Sequence, residues 1–328
     1  MSKDIVFLIS QPRSGSTLLQ LMLGKHPDIL TTSEPWINLH FLNSLNSKSI
    51  YSPYDSELCG RATSEFLALV NVKQDKYFKL IGNFLGSLYR EGLRKSGKKI
   101  FLDKTPRYYE ILDDLALAYP EAKFILLYRD PCDVLSSIYK NWVRERTLFL
   151  SCYSRDLFVA PKKITDFQEK FPDRCLPVYY EKLIDDPQKE LREICQFINL
   201  PFLSEIINYG ETPDWRFGDK NVSRFDKPTK LKDHEFAFDK IPIFQKLYIE
   251  RIGHSLYQKI GYRFDEKLSE LGEFLIKPSH RREFKFLLEG YVNPPARKSI
   301  QRIYEQKRFV TIKVFMLKKL LNSKIFLE

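Results

Sequence analysis

The chain opens on a segment that leaves little choice of local structure. Residues 4–10, "DIVFLIS", form a short apolar run that ends in turn chemistry, and "QPRSGST" follows at 11–17. Next comes "LLQLMLGKHP", whose apolar residues Leu18, Leu19, Met22 and Leu23 recur at helical spacing before Gly24 and Pro27 close the pattern. A buried parallel strand, a tight loop and a helix are predicted. That order turns the backbone N–H groups of a helix start toward an anion. A nucleotide-triphosphate loop reads G-x-x-x-x-G-K-[ST], with its lysine on the terminal phosphates and its hydroxyl on magnesium. On that template Gly15 and Thr17 fit, whereas Ser10 stands in place of the first glycine and Ser16 in place of the lysine. The turn is kept and the lysine is gone, so the anion expected here carries less concentrated charge.

The rest of the chain repeats the alternation. "DILTTSE" at 28–34 reads as a short second strand, and a single long helix is expected over 63–95, starting at Thr63/Ser64 and ending near Gly97. "KKIFLDKTP" reads as the third strand and its turn, and "RYYEILDDLALAYP" as helical. "KFILLYRDP" is a fourth strand, cut off by Arg129, Asp130 and Pro131; "PCDVLSSIYKNWV" follows as a helix with proline in its first turn. "RCLPVYYEKL" is the last strand, where Pro177 argues for an edge position, and "DPQKELREICQFINLP" is an amphipathic helix. Strands alternating with helices imply an α/β fold, a P-loop-like parallel sheet with helices on both faces. Ligands on such sheets bind beyond the carboxyl ends of the strands.

Bulk properties narrow the function. At 328 residues, 43% hydrophobic and 14% aromatic, the chain can bury a large core. No apolar run approaches the roughly 18 residues of a spanning helix, and no export signal is read at the start. Five cysteines (Cys59, Cys132, Cys152, Cys175, Cys195) without a C-x-x-C pair suggest reduced, structural thiols and a cytoplasmic setting. Five scattered histidines lack metal-ligand spacing, so no metal site is expected. The net charge of +11 is uneven: residues 271–328 hold thirteen Lys or Arg against five Glu. The basic tail suggests an accessory surface rather than a chain-wide affinity for nucleic acid. Val310, Val314, Leu317 and Leu321 recur there at helical spacing between lysines. The pattern suits a helix packed on the domain or an amphipathic element making peripheral contact with an anionic membrane. The expected division is a domain at 1–265 and a basic helical C-terminal extension at 266–328. The segment 211–233 reads as a long loop.

Three strand ends carry polar clusters: "QPRSGST", "DKTPR" and "YRDPCDVLSS". They supply Arg13, Lys104, Arg107 and Arg129, with the hydroxyls of Ser14, Ser16, Thr17, Thr105 and Ser137. Two anion sites can be drawn from them. One is the loop and helix start after the first strand; the other pairs Arg129 with Ser137, two helical turns on.

"QPRSGST" resembles the 5′-phosphosulfate loop of PAPS-dependent sulfotransferases, in which Arg13 would hold the basic position ahead of the Ser-Gly pair. "RDPCDVLSS" is similar to the family's 3′-phosphate motif. "DKTPR" and "FPDRCLPVYYEKLIDDPQKELREICQFINLPF" resemble the bacterial branch related to tyrosylprotein sulfotransferases, and the likeness runs from about Asp4 to Asp265.

The resemblance implies PAPS as co-substrate without a metal, and an acceptor that is a small molecule, glycan or lipid. Arg13, Ser14, Gly15, Ser16 and Thr17 would bind its 5′ end, and Arg129 and Ser137 its 3′-phosphate. Tyr180 would pack near the adenine, and the 211–233 loop, with Ser223 and Lys227, would complete the pocket. Arg13 and Lys104 would stabilise charge on the transferring group. Glu34, in "TTSEPW", would be the general base, as in the tyrosylprotein branch. The residues themselves leave two alternatives open: a P-loop kinase or nucleotide phosphotransferase with a degenerate loop, and an inactive nucleotide-binding module. Asp130, which imitates a Walker B aspartate, is expected to cap the helix that follows it.

Overall fold

A computed structural model describes residues 3–45, 55–138, 141–142, 153–208 and 254–262. Five parallel strands form its sheet: β1 (Ile5–Ser10), β2 (Ile29–Thr31), β3 (Ile100–Lys104), β4 (Lys123–Tyr128) and β5 (Cys175–Tyr179), in the order β2-β3-β1-β4-β5. β1 is therefore central, paired Leu8 to Lys104 on one side and Leu8 to Ile125 on the other. β5, with Pro177, lies at an edge as expected.

The strands alternate in what they bury. Ile5, Phe7, Ile9, Phe101, Phe124 and Leu126 face one core. Against them pack helices α4 (Gln74–Ser96), α5 (Leu112–Ala118) and α7 (Ala160–Lys170). Val6, Leu8, Leu102, Ile125 and Val178 face the other, under α1 (Ser16–Gly24) and α9 (Pro187–Phe197). A period of two with both faces buried explains why these strands read as unbroken apolar runs.

Further helices are α2 (Ile37–Leu42), α3 (Ser56–Leu69), α6 (Pro131–Ile138), α8 (Tyr180–Asp185) and α10 (His254–Lys259). The last returns to the domain: Tyr257 and Ile260 are buried, and the Tyr257 hydroxyl donates to the Asp130 carboxylate at 2.9 Å.

The long helix expected at 63–95 is two helices. α3 starts earlier, where the Asp55 carboxylate accepts from Leu58 N–H at 2.9 Å. Thr63 and Ser64, instead of capping, turn their hydroxyls back onto the Cys59 and Gly60 carbonyls within the helix. The break falls at Asn71, which takes the left-handed conformation (φ 54°), and α4 then ends at Gly97 (φ 69°) as predicted. The helical stretch after β3 likewise begins as a 3-10 turn, Pro106–Glu110, before α5. The 211–233 loop, with Ser223 and Lys227, and the 266–328 extension lie outside the described residues.

Among the described residues no helix is long and apolar enough to cross a membrane. Cys132, Cys175 and Cys195 are buried free thiols; burial pushes Cys195 up to about 11 and Cys175 up to about 12. Cys152 lies outside the described residues.

Candidate functional site

The loop after β1 emerges mid-sheet, between the ends of β3 and β4. Two clusters meet there. Its backbone is set by two left-handed residues, Arg13 (φ 73°) and Gly15 (φ 91°). Gly15 is required twice over: its φ disfavours a side chain, and a Cβ there would fall 2.4 Å from the Tyr180 ring. Arg13 has no such excuse, and a non-glycine residue held in that region belongs to a loop over-determined by its surroundings. Ser14 N–H closes a turn on the Gln11 carbonyl, and the Gln11 side chain donates to the Asp156 carbonyl at 3.0 Å. α1 begins with Gly15 at its cap and no acidic residue in its first turn, so its leading N–H groups face outward uncompensated.

On the β3 side stand Glu34 and Lys104. Lys104 is 2% exposed, and its Nζ donates to Glu34 Oε1 at 2.7 Å and to Thr17 Oγ1 at 3.5 Å. Glu34 Oε2 accepts from Trp36 Nε1 at 3.1 Å. Gln20 of α1 pins the chain just before Glu34, donating to Thr31 Oγ1 at 2.8 Å and to the Thr32 carbonyl. A threonine from the first turn of α1, a strand-end lysine and a carboxylate from after β2 thus share one point, though up to 87 residues separate them.

On the β4 side lie Arg13, Arg129, Ser137 and Tyr180. Arg13 Nε donates to Ser137 Oγ at 3.3 Å, and the Arg13 guanidinium lies 5.6 Å from the Trp142 ring centre. Arg129 Nη1 donates to the Arg13 carbonyl at 3.3 Å, and its guanidinium stacks 4.4 Å over Tyr180. Asp133 stands 3.8 Å from Arg129 Nε. Tyr180 is 6% exposed, wedged between Gly15 and Arg129. The fold thus gives Tyr180 a supporting position beneath both the loop and the arginine. Arg129 and Ser137 meet through Arg13.

Two buried groups mark where an anion fits. Ser14 Oγ and Arg129 Nε find no hydrogen-bond partner among the described residues. A hydroxyl and a guanidinium N–H left so would each carry a desolvation cost unless a ligand completes them. Both suit phosphate oxygens; Asp133, at 3.8 Å from Arg129 Nε, lies beyond hydrogen-bond distance.

Other expectations sort plainly. Asp130 caps α6, its Oδ1 accepting from Cys132 N–H at 2.8 Å. His26 is fully buried: its Nδ1 accepts from Asp28 N–H, so its Nε2 proton goes to the Pro201 carbonyl, which makes it a turn residue. Arg107 turns away from the loop to Asp156 Oδ2 at 2.9 Å, beside the Tyr109 hydroxyl on Oδ1. Burial acts most strongly against the Arg107 charge, but the Asp156 carboxylate together with Tyr109 and Tyr153 raises the guanidinium's affinity for its proton. Asp156 rides on a π-helical turn, Arg155–Val159, and so joins the loop after β1 to the "DKTPR" turn. Sequence reading missed Asp156, Gln11 and Asp103, because buried polar groups partnered across the fold leave no local pattern. Residues 153–160, "YSRDLFVA", would have read as an ordinary helix start.

Known proteins similar to this chain include two curated relatives and a solved domain. The nodulation protein NoeE of Sinorhizobium fredii is 31% identical over 219 residues, covering 59% of this chain and 51% of that protein. Protein-tyrosine sulfotransferase 1 of Danio rerio is 27% identical over 212 residues, 63% of this chain and 56% of that protein. The chain thus spans about half the length of these curated relatives. Among solved structures, the sulfotransferase domain of the Synechococcus PCC 7002 olefin synthase superposes with a TM-score of 0.47 at 23% identity, over 83% of this chain and 94% of that one. Residues 5–204 match the profile of the Sulfotransferase family, and the chain belongs to that family.

Proposed function

We propose that this protein transfers a sulfuryl group from PAPS to an acceptor hydroxyl or amine on a small molecule, glycan or lipid. The observation that carries the reading is the meeting of Glu34, Lys104 and Thr17 at the mouth of a loop that has no Walker lysine. When bound, PAPS supplies the sulfuryl group and leaves as adenosine 3′,5′-bisphosphate. The first-turn N–H groups of α1, the hydroxyls of Ser14, Ser16 and Thr17, and Arg13 hold the 5′ end. Arg129 and Ser137 hold the 3′-phosphate by charge-assisted hydrogen bonds, and Tyr180 keeps Arg129 in place.

Lys104 has three N–H donors, two of them directed at Glu34 and Thr17, which leaves one for the anion in the loop. Fixed in a water-poor site, its charge favours negative charge building on the leaving oxygen. Glu34 takes the acceptor proton as the new oxygen–sulfur or nitrogen–sulfur bond forms. Trp36 and Lys104 orient the carboxylate for that step.

Binding titrations with adenosine 3′,5′-bisphosphate, AMP, ADP and GDP, together with turnover of labelled PAPS, test the reading. The bisphosphate should bind most tightly. Glu34→Gln should keep that binding and lower turnover by about 100-fold, the scale of general-base catalysis. Preference for ADP or GDP would favour a phosphotransferase, and binding without turnover an inactive module.

A further inference from the structure

Behind the Glu34–Lys104 pair lies a buried polar network that the proposed chemistry does not use. Asp103, next to Lys104 on β3, is fully buried in the core. Its Oδ2 accepts from the Tyr89 hydroxyl at 2.5 Å and the Tyr108 hydroxyl at 3.0 Å; its Oδ1 accepts from Thr105 Oγ1 at 3.1 Å. A carboxylate can only accept, so all three hydroxyl protons point at Asp103. Each hydroxyl oxygen is then left to accept in turn.

What they accept comes from the segment after Glu34. Thr105 Oγ1 receives Trp36 N–H at 3.4 Å. The Tyr108 hydroxyl receives Asn38 N–H at 3.3 Å and Asn38 Nδ2 at 3.1 Å; the Tyr89 hydroxyl receives Asn38 Nδ2 at 2.8 Å. Asn38 Oδ1 takes the Tyr119 hydroxyl proton at 2.8 Å. The carboxylate fixes the three hydroxyl protons, and the amide N–H groups, which can only donate, then meet the free side of each hydroxyl oxygen.

That segment needs holding. Trp36 sits in the left-handed region (φ 58°), unusual for a bulky residue, directly after Pro35. Its indole N–H is also a Glu34 partner. If the turn relaxed, both its bond to Glu34 and the carboxylate's approach to Lys104 would shift.

We propose that Asp103 is a positioning residue for Glu34: it fixes the direction of a hydroxyl relay that clamps Trp36 and Asn38, and through them the turn presenting the Glu34 carboxylate. The proposal rests on the reading of Glu34 as the base. Lys104, one residue along β3, makes the direct contact, and the relay sets the other side of the same carboxylate.

Thr105 offers the cleanest test, since Thr105→Val keeps the shape and deletes the relay oxygen, while Thr105→Ser restores it. Thr105→Val should lower kcat by about tenfold or more, leaving bisphosphate Kd within about twofold, because the loss lies in orientation. Thr105→Ser should return kcat to near the parent. In a Glu34→Gln background, Thr105→Val should lower the residual turnover no further, the non-additivity expected of groups acting through one another. Asp103→Asn should reproduce the loss; should it fail to fold, the Thr105 pair decides.

A second readout needs no turnover. The protein has three tryptophans, so ¹⁵N spectra should show three indole N–H signals, with Trp36 assigned through Trp36→Phe. That signal should move in Thr105→Val and return in Thr105→Ser. Parental kcat in Thr105→Val, or an equal loss on top of Glu34→Gln, overturns the relay while the base reading stands. Full turnover in Glu34→Gln overturns both.

Discussion

Arg129 does three things within a few ångströms: it donates to the Arg13 carbonyl, stacks on Tyr180, and keeps a buried Nε without a hydrogen-bond partner among the described residues. The first two fix it, and the third is what a 3′-phosphate would complete. Arg129→Ala is therefore expected to weaken adenosine 3′,5′-bisphosphate by about 1.5–3 kcal/mol, the range for a charged hydrogen bond. AMP should bind variant and parent alike in the same calorimetric titration. Equal losses for both ligands would mean that Arg129 acts through the Arg13 carbonyl on the loop. Asp103 supplies a second residue-level prediction. Burial pushes its carboxyl up to about 6, against the pull of Tyr89, Tyr108, Thr105 and Lys104. An unfolded aspartate titrates near 4, so between about pH 6 and 4 the folded chain holds a proton that the unfolded chain lacks. Stability from this site rises as pH falls through that window. Urea unfolding should show the parent gaining on the order of 2–3 kcal/mol over Asp103→Asn from pH 7.5 to 4. A flat difference would show that Asp103 titrates as an ordinary carboxylate. The ionised form is thus a standing cost at neutral pH, as expected of a group kept for geometry rather than stability.

At the scale of elements, α4 packs closely on α5 and reaches β3. Phe78, Leu85, Tyr89 and Leu93 bury one face of α4, and Tyr89 reaches from that face to Asp103. The crossing is close because Gly82 lies against the end of α5: a Cβ there would fall 2.0 Å from the Ala118 carbonyl oxygen. Backbone cannot step aside as a side-chain tip can. Gly82→Ala should therefore cost about 1–3 kcal/mol through overpacking, despite alanine's better helix propensity. Chemical denaturation measures this, and a stabilised variant would show that the helices separate freely. The end of α5 is fixed from the other side by Arg174, whose guanidinium donates to the Ala116, Tyr119 and Ala122 carbonyls. Burial lowers the Arg174 affinity for its proton, yet these carbonyls and the Phe124 ring at 5.1 Å hold the charge in place.

At the scale of the whole molecule, the chain returns to its own site. Residues 254–262 bring Tyr257 to the Asp130 carboxylate and the Tyr262 hydroxyl to Glu181 Oε2 at 2.6 Å, while Glu181 Oε1 accepts from Asp130 N–H. Asp130 follows Arg129, so the segment after residue 253 buttresses the β4 side of the candidate site. A chain ending at 265 should keep bisphosphate affinity within about threefold of the parent, whereas one ending at 208 should lose it along with the 211–233 loop and the buried Tyr257 and Ile260. Calorimetry on both truncations checks this, and full affinity in the shorter chain would refute the buttress.

Much of this protein was legible along the chain, because the signals involved are local. β1, its loop and α1 follow from an apolar run, a glycine that must be left-handed and a helical repeat, and Arg129 and Ser137 from their eight-residue spacing across the start of α6. Glu34 and Lys104 could be named as strand-end residues, although only the fold brings them to 2.7 Å. The break at Asn71 went unread, since nothing local separates one long helix from two packed ones. The order β2-β3-β1-β4-β5 was equally hidden, because periodicity says which faces are buried and not which strand lies beside which. Asp103 stood in plain view inside "FLDKTP", yet its meaning depends on hydroxyls at 89, 105 and 108 and an amide at 38. Pattern fixes what a residue can do to its neighbours in sequence. Only packing decides which distant donors a buried acceptor meets, since the cost of leaving it unpaired is paid in three dimensions.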